Sequence, residues 1–249
     1  MAETGNMRQA GNTLEAGGRN VSDAEIARFG LLAERWWDPR GPMAPLHRMN
    51  PLRVGWIDER VRRRFQGPAR LLDLGCGAGL AAEALARAGH TVLGLDAAPE
   101  AIAAAESHAA GQGLSLAYRI GAAEDLRREG ARFQVVTALE VIEHVPDPAA
   151  FVGLLAGLLE PGGLLFVSTL NRTPRAYVVA KLGAEYLLRW LPVGTHDWRK
   201  FVTPAELGLW ARGAGLRMAD MAGMTLDPLR GAWRASRDTG VNYIAMARN

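Results

Sequence analysis

Leu72-Asp-Leu-Gly-Cys-Gly-Ala-Gly79 is the stretch from which the fold is read. A short apolar run, Leu71 to Leu74, delivers a carboxylate and three alternating glycines, and a helical stretch from Leu80 to Ala88 follows at once. Glycine lets the chain turn sharply at the carboxyl end of a strand and lets a ligand approach the backbone with no Cβ in the way. The same rhythm continues downstream. Thr91 to Leu95 precedes a helix from Pro99 to Ala110, further strands fall at Ser115 to Ile120, Phe133 to Leu139 and Gly163 to Thr169, and a helix spans Asp147 to Leu159. Strand and helix in alternation read as βαβ units and a parallel sheet. Thr203-Pro-Ala-Glu206 announces a last helix, a capping box with Pro at the first helical position. Two final strands fit Leu216 to Met221 and Val241 to Ala247. The expectation is an α/β chain with a Rossmann-like, doubly wound, mostly parallel seven-stranded sheet.

Upstream of the sheet the pattern is helical. Ser22-Asp-Ala-Glu25 is a capping box, and Ile26, Phe29, Leu32 and Trp36 follow at helical spacing. Pro39, Gly41, Pro42 and Pro45 then force an irregular segment, and a second helix is expected from about Asn50-Pro51 to Phe65. Residues 1–20 read as a disordered tail without an apolar core, 21–66 as an N-terminal helical extension, and 67–249 as the main domain with an amphipathic insertion at 173–200. With 249 residues, 49% of them apolar and 22% charged, the chain has enough material for one soluble core. The net charge of +3 is small, and Arg62-Arg63-Arg64 reads as a solvated helix face, so no nucleic-acid partner is expected. A single cysteine, Cys76, leaves no intrachain disulfide and fits a reducing, cytoplasmic setting. No apolar stretch is long enough to read as a membrane span.

Spacing separates two cofactor classes. A dinucleotide site wants G-x-G-x-x-G, whereas here the glycines run G-x-G-x-G and Leu80 occupies the third dinucleotide position. Asp73, two residues before the first glycine, is poorly placed beside a pyrophosphate but suits a ligand with an ammonium and a sulfonium. Asp96 closes the second strand, where a carboxylate accepts from ribose hydroxyls. Asp73, Gly75, Gly77 and Asp96 therefore point to S-adenosylmethionine (SAM), with a nicotinamide enzyme as the alternative. Cys76 reads as a small residue of the loop.

Glu140, Glu143 and His144, after the fourth strand, form the chemical constellation. Two carboxylates and an imidazole are a candidate Mg²⁺ site that would acidify a catechol; alternatively His144 takes the proton directly, or Glu143 and His144 merely tie down the loop.

Other segments carry a family resemblance: Arg35-Trp-Trp-Asp38, Pro45-Leu-His-Arg-Met-Asn-Pro-Leu-Arg53, Leu139-Glu-Val-Ile-Glu-His-Val-Pro-Asp-Pro148, Ser168-Thr-Leu-Asn-Arg172, Gly183-Ala-Glu-Tyr186, Gly194-Thr-His-Asp197, Lys200-Phe201 and Val241-Asn-Tyr243. From about Ile26 to Tyr243 the chain resembles the ubiquinone-biosynthesis O-methyltransferases, within the class I SAM-dependent methyltransferases. The resemblance implies methylation of polyprenylated phenols and catechols, and SAM contacts by Arg53, Gly75, Asp96 and Leu139. Leu139 is equally well read as core.

Pro174 to Leu191 reads as an amphipathic helix, with Lys181, Glu185 and Arg189 as one charged stripe and Tyr177, Val178, Leu182, Tyr186, Leu187, Trp190 and Leu191 around the rest. A prenylated substrate dissolves in the bilayer, so residues 174–191 are expected to touch membrane lipid at the inner face of the cell membrane, or else to pack as a lid. Membership of a ubiquinone-biosynthesis complex is the further partner expectation.

Overall fold

The computed structural model describes residues 20–30, 32–179, 198–227 and 232–249. Its strands are β1 (Arg70–Leu74), β2 (Thr91–Asp96), β3 (Leu116–Ile120), β4 (Phe133–Leu139), β5 (Leu159–Leu170), β6 (Arg217–Asp227), β7 (Ala232–Ser236) and β8 (Asn242–Arg248). They make one sheet in the order β3-β2-β1-β4-β5-β8-β6-β7. Strands β1 to β5 pair in parallel, β8 enters antiparallel between β5 and β6, and β7 is an antiparallel edge strand. The mostly parallel sheet is as expected; the count among the described residues is eight, not seven. The extra strand is Ala232–Ser236, which pairs with Thr225 and its neighbours in a part of β6 that local pattern did not extend to. An edge strand with one partner and a largely exposed pattern carries little of the alternation that marks a strand in sequence.

The helices are α1 (Asp23–Gly30), α2 (Ala44–Phe65), α3 (Leu80–Arg87), α4 (Pro99–Ala109), α5 (Ala123–Arg128), α6 (Pro148–Gly157), α7 (Pro174–Tyr177) and α8 (Pro204–Gly213). They cover both faces. Leu126, Phe151, Leu155 and Leu207 bring α5, α6 and α8 onto one face. Trp56, Ile57, Leu85 and Ile102 bring α2, α3 and α4 onto the other. Consecutive residues divide between the cores as a doubly covered strand requires, Val135 going to one and Val136 to the other. The capping box forms as read: the Glu206 amide donates to Thr203 Oγ1 at 3.2 Å and the Thr203 amide to Glu206 Oε2 at 2.9 Å.

Three helical expectations change. The first helix stops at Gly30 and resumes only as a 3₁₀ turn at Ala33–Arg35, because glycine in a helix costs about 1 kcal/mol relative to alanine. The second begins at Ala44, with Pro45 in its first turn and Pro51 inside it. Burial of Met49, Asn50, Arg53, Trp56 and Ile57 outweighs the backbone hydrogen bond that Pro51 removes. The short α5 was not anticipated; the Ala122 amide donates to Asp125 Oδ2 at its start, at 2.9 Å. Of the Pro174 to Leu191 helix only α7 and its immediate continuation fall within the described residues, and Gly183–Tyr186 and Gly194–Asp197 lie outside them.

Two features position a site. The strand order departs from β1 in opposite directions, toward β2 and toward β4, so the loops after β1 and β4 diverge and open a crevice at their carboxyl ends. The N-terminal extension packs beside that crevice through α2, and Trp56 meets Phe166 of β5 edge-on at 5.8 Å. Phe166 is fully buried. Phe166→Ala is expected to cost about 3–5 kcal/mol, read as a lower urea midpoint with an unchanged slope.

Candidate active site

A cavity of about 470 Å³ opens at the switch point, within the size range of small-molecule sites. Gly75, Gly77, Asp96, Leu139, Glu140, Glu143 and His144, all anticipated from sequence, line it. Arg53 and Asp73 do not line it; both are buried, at 3% and 2% exposure.

The glycines are demanded by the protein's own packing as well as by a ligand. Gly75, Gly77 and Gly79 have φ of 68°, 53° and 89°, the left-handed region that favours glycine. A Cβ on Gly77 would sit 2.3 Å from Trp36 Cζ2, and one on Gly75 2.5 Å from Val141 Cγ2. Asp96 receives the loop from the other side: its Oδ2 accepts from the Gly77 amide at 2.8 Å and its Oδ1 from the Ala98 amide at 2.9 Å. Burial raises the Asp96 carboxyl above its ordinary value, and these amides pull it back. Cys76 is buried, and that burial, with Asp96 and Asp73 nearby, pushes its thiol far from a thiolate. It is a filler, as read.

The extension fastens the cradle. Trp37 Nε1 donates to the Ala78 carbonyl at 3.0 Å, His47 Nε2 lies 2.8 Å from the Trp36 carbonyl, and Asn50 Nδ2 donates to the Leu80 carbonyl at 2.9 Å. The Trp-Trp and Pro-Leu-His-Arg segments therefore serve the same loop. Between them and the sheet lie Arg53 and Asp73. Thr137 Oγ1 donates to Asp73 Oδ1 at 2.6 Å. Burial lifts the Asp73 carboxyl to about 6, against the pull of Thr137 and Arg53, while the Ala82 amide assists without reaching good hydrogen-bond geometry. Arg53 Nε and Asp73 Oδ2 are buried with no hydrogen-bond partner. A ligand end bearing both a carboxylate and an ammonium would make good that deficit. With Asp96 and the glycine loop, these residues fit SAM.

The acidic cluster is held by β5. Glu140 sits at φ 58°, a strained conformation for a residue with a side chain. Its amide donates to the Ser168 carbonyl at 2.9 Å, Ser168 Oγ donates to its Oε1 at 2.6 Å, and Arg53 Nη1 lies 3.9 Å from the same oxygen. Thr169 Oγ1 donates to Glu143 Oε2 at 2.9 Å. Burial first, then the neighbouring Glu140, raises the Glu143 carboxyl to about 8. His144 turns to the extension: its Nδ1 lies 3.1 Å from Glu25 Oε2, and Lys200 Nζ lies 3.9 Å from Glu25 Oε1. Sequence reading placed Glu25 only in a capping box; no local signal ties it to a histidine more than a hundred residues away.

This geometry does not assemble the candidate Mg²⁺ set. Glu140, Glu143 and His144 are each turned to a different partner, and among the described residues no three His, Cys, Asp or Glu side chains are grouped to hold a metal ion.

A methyltransferase-domain family model matches residues 47–220. Ubiquinone biosynthesis O-methyltransferases from Azorhizobium caulinodans and Methylobacterium nodulans are 47% and 49% identical, over 92% and 94% of this chain and 94% and 97% of theirs. The chain belongs to the ubiquinone biosynthesis O-methyltransferase family. The family's distinguishing segments now have places: Trp36 and His47 fasten the cradle, and Ser168 and Thr169 hold the two glutamates. Solved structures share the class I SAM-methyltransferase fold. An O-methyltransferase family protein from Burkholderia thailandensis aligns with TM-score 0.61 at 20% identity over 92% of this chain and 63% of its own. SAM-bound magnesium protoporphyrin IX methyltransferase from Synechocystis aligns with TM-score 0.60 at 17% identity over 93% and 100%.

Two outcomes follow from this geometry. Gly77→Ala drives a methyl into Trp36 and is expected to weaken SAM binding by about tenfold or more in calorimetric titration. Gly111→Ala, with a similar φ of 75° but open space around it, leaves that affinity unchanged. For Glu143 the folded-state value of about 8 lies above the ordinary 4.5. The unfolded chain therefore releases this proton first, and the group's contribution to stability declines as pH rises between those values. Glu143→Gln removes the decline, so its melting temperature relative to wild type rises from about pH 5 to about pH 8; a constant offset would refute this.

Proposed function

We propose that this chain is a SAM-dependent O-methyltransferase of ubiquinone biosynthesis that methylates ring hydroxyls of 2-polyprenyl-6-hydroxyphenol and 3-demethylubiquinol. One observation carries the reading: the glycine cradle with Asp96 and the imidazole of His144 line the same cavity. SAM, when bound, supplies a methyl group on a positively charged sulfur. The chain's residues do the rest. Asp96 has a free lone pair on each oxygen for ribose hydroxyls, Arg53 and Asp73 answer the amino-acid end, and Leu139 gives an apolar wall.

A phenol with a pKa of about 10 is mostly protonated at neutral pH. His144, in the cavity wall, accepts the hydroxyl proton as the oxygen attacks in line. With SAM bound, the methyl would pass to that oxygen and leave a neutral thioether, while His144 keeps the hydroxyl proton. The scheme is written on His144 alone, because Glu140 and Glu143 are held by Ser168 and Thr169. The ubiquinone-biosynthesis relatives favour a prenylated acceptor over another small hydrophobic phenol.

A prenylated acceptor partitions into lipid, which supports peripheral membrane contact near residues 174–191. Tyr177, Val178 and Val179, in the described part of that stretch, are exposed at 39%, 52% and 48%, and no helix among the described residues is long and apolar enough to cross a membrane. Attachment to other enzymes of the pathway is the further part of the proposal.

Mass spectrometry of products formed from SAM and a prenylated catechol, beside a panel of free catechols, tests the substrate assignment; methylation of the free catechols alone would overturn it. His144→Gln is expected to lower kcat by about 10² or more with SAM affinity within about twofold, and an undiminished kcat would remove His144 as the base.

A further inference from the structure

We infer that His108, on α4, is a positioning residue for SAM: its ring, stacked on Trp37 and anchored by the buried Glu83, fixes the plane of the indole whose N–H holds the cradle at Ala78. This rests on the reading of the glycine loop as the SAM cradle and extends it to side chains that do not line the cavity.

The clamp is a closed circuit of contacts. Trp37 Nε1 donates to the Ala78 carbonyl at 3.0 Å. The Trp37 and His108 rings lie face to face, their centroids 3.4 Å apart and their planes within 6° of each other. His108 Nδ1 lies 2.7 Å from Glu83 Oε1, and Glu83 is in the first turn of α3, the helix that opens where the cradle ends. Extension, loop, α3 and α4 are thereby fixed relative to one another. His47 meets the same indole edge-on at 5.9 Å. None of Trp37, Ala78, Glu83 and His108 lines the cavity, so their effect on a bound cofactor passes through the backbone of the loop.

Each link has a physical role. An indole N–H lies in the plane of its ring, and a hydrogen bond weakens steeply as its angle departs from linear. A stack that holds the plane therefore holds the aim of the N–H. Ala78 needs that hold, because glycines in the left-handed region flank it, with φ of 53° at Gly77 and 89° at Gly79, and glycine gives the backbone its greatest freedom. Asp96 fixes the Gly77 amide; the indole fixes the carbonyl of the next residue. Glu83 is fully buried, whereas the His108 side chain is 36% exposed. A buried carboxylate is costly to leave unpaired, so it keeps the imidazole in one orientation. Arg87 Nη2, 2.5 Å from Glu83 Oε2, engages its other oxygen.

Two readouts on the full chain test the clamp. His108→Gln keeps a polar group for Glu83 and removes the stacked ring; His108→Phe keeps a ring and removes the bond to Glu83. In calorimetric titration His108→Gln should weaken SAM binding about three- to tenfold, the worth of one hydrogen bond, and His108→Phe should recover part of that loss. Trp37→Phe, which removes the N–H, should weaken binding by a similar factor, and the double variant of Trp37→Phe with His108→Gln by no more than the larger single loss. In the SAM-free chain, the indole ¹H–¹⁵N signal of Trp37, assigned by its disappearance in Trp37→Phe, should move toward the position of a water-bonded indole in His108→Gln. Unchanged SAM affinity in His108→Gln overturns the inference, as do losses that add in the double variant. Equal weakening in His108→Gln and His108→Phe also overturns it, and would mark a purely structural contact. A moved indole signal in a chain that binds no SAM leaves the aromatic clamp standing and refutes the cradle reading.

Discussion

The contact of Trp36 with the backbone of Gly77 is the constraint around which the site is arranged. A glycine-rich turn after β1 can take many courses; this one is pressed by an indole on one side and pulled by the Asp96 carboxylate on the other. Both restraints act on the same residue. Trp36 in turn is held by the start of α2, through His47 at its carbonyl, and α2 is held to the sheet by Trp56 and Ile57. Cofactor loop, extension and sheet core thus form one packed unit, and the extension is part of the catalytic domain in the physical sense.

The electrostatics follow from that enclosure. Arg53, Asp73 and Glu143 are all out of water, where an ionised group is costly unless paired. Asp73 and Glu143 respond by holding protons more tightly than usual, and Arg53 by holding its own less tightly. Hydroxyls of Thr137, Ser168 and Thr169 satisfy one oxygen each of Asp73, Glu140 and Glu143. Those three hydroxyls come from the two strands beside β1 and β4, so the sheet register, set by apolar packing, also sets the protonation of the site.

Much of this was legible beforehand. The lining residues Gly75, Gly77, Asp96, Leu139, Glu140, Glu143 and His144 all end a strand or follow one within a few positions, and a strand's carboxyl end at a switch point is where ligands bind. Other features were not. Glu25 and His144 are neighbours only because α1 folds across the crevice, and nothing in the local pattern of either announces the other. The grouping of two glutamates and a histidine suggested a cation from composition alone. In the folded chain Glu140, just after β4, and Glu143 and His144, on the 3₁₀ turn, face separate partners.

What the sequence determined by itself was local and periodic: the strand–turn–helix with its glycine spacing, the alternation that makes a parallel sheet, the carboxylates at strand ends, and the Thr203 cap. Each rests on residues within a turn or a strand of one another. Tertiary structure alone decided the eighth strand, the course of α2 through Pro51, the burial that shifts Asp73 and Glu143, and the meeting of Glu25 with His144. Those depend on which surfaces are removed from water together, and that is settled only when segments distant in the chain pack.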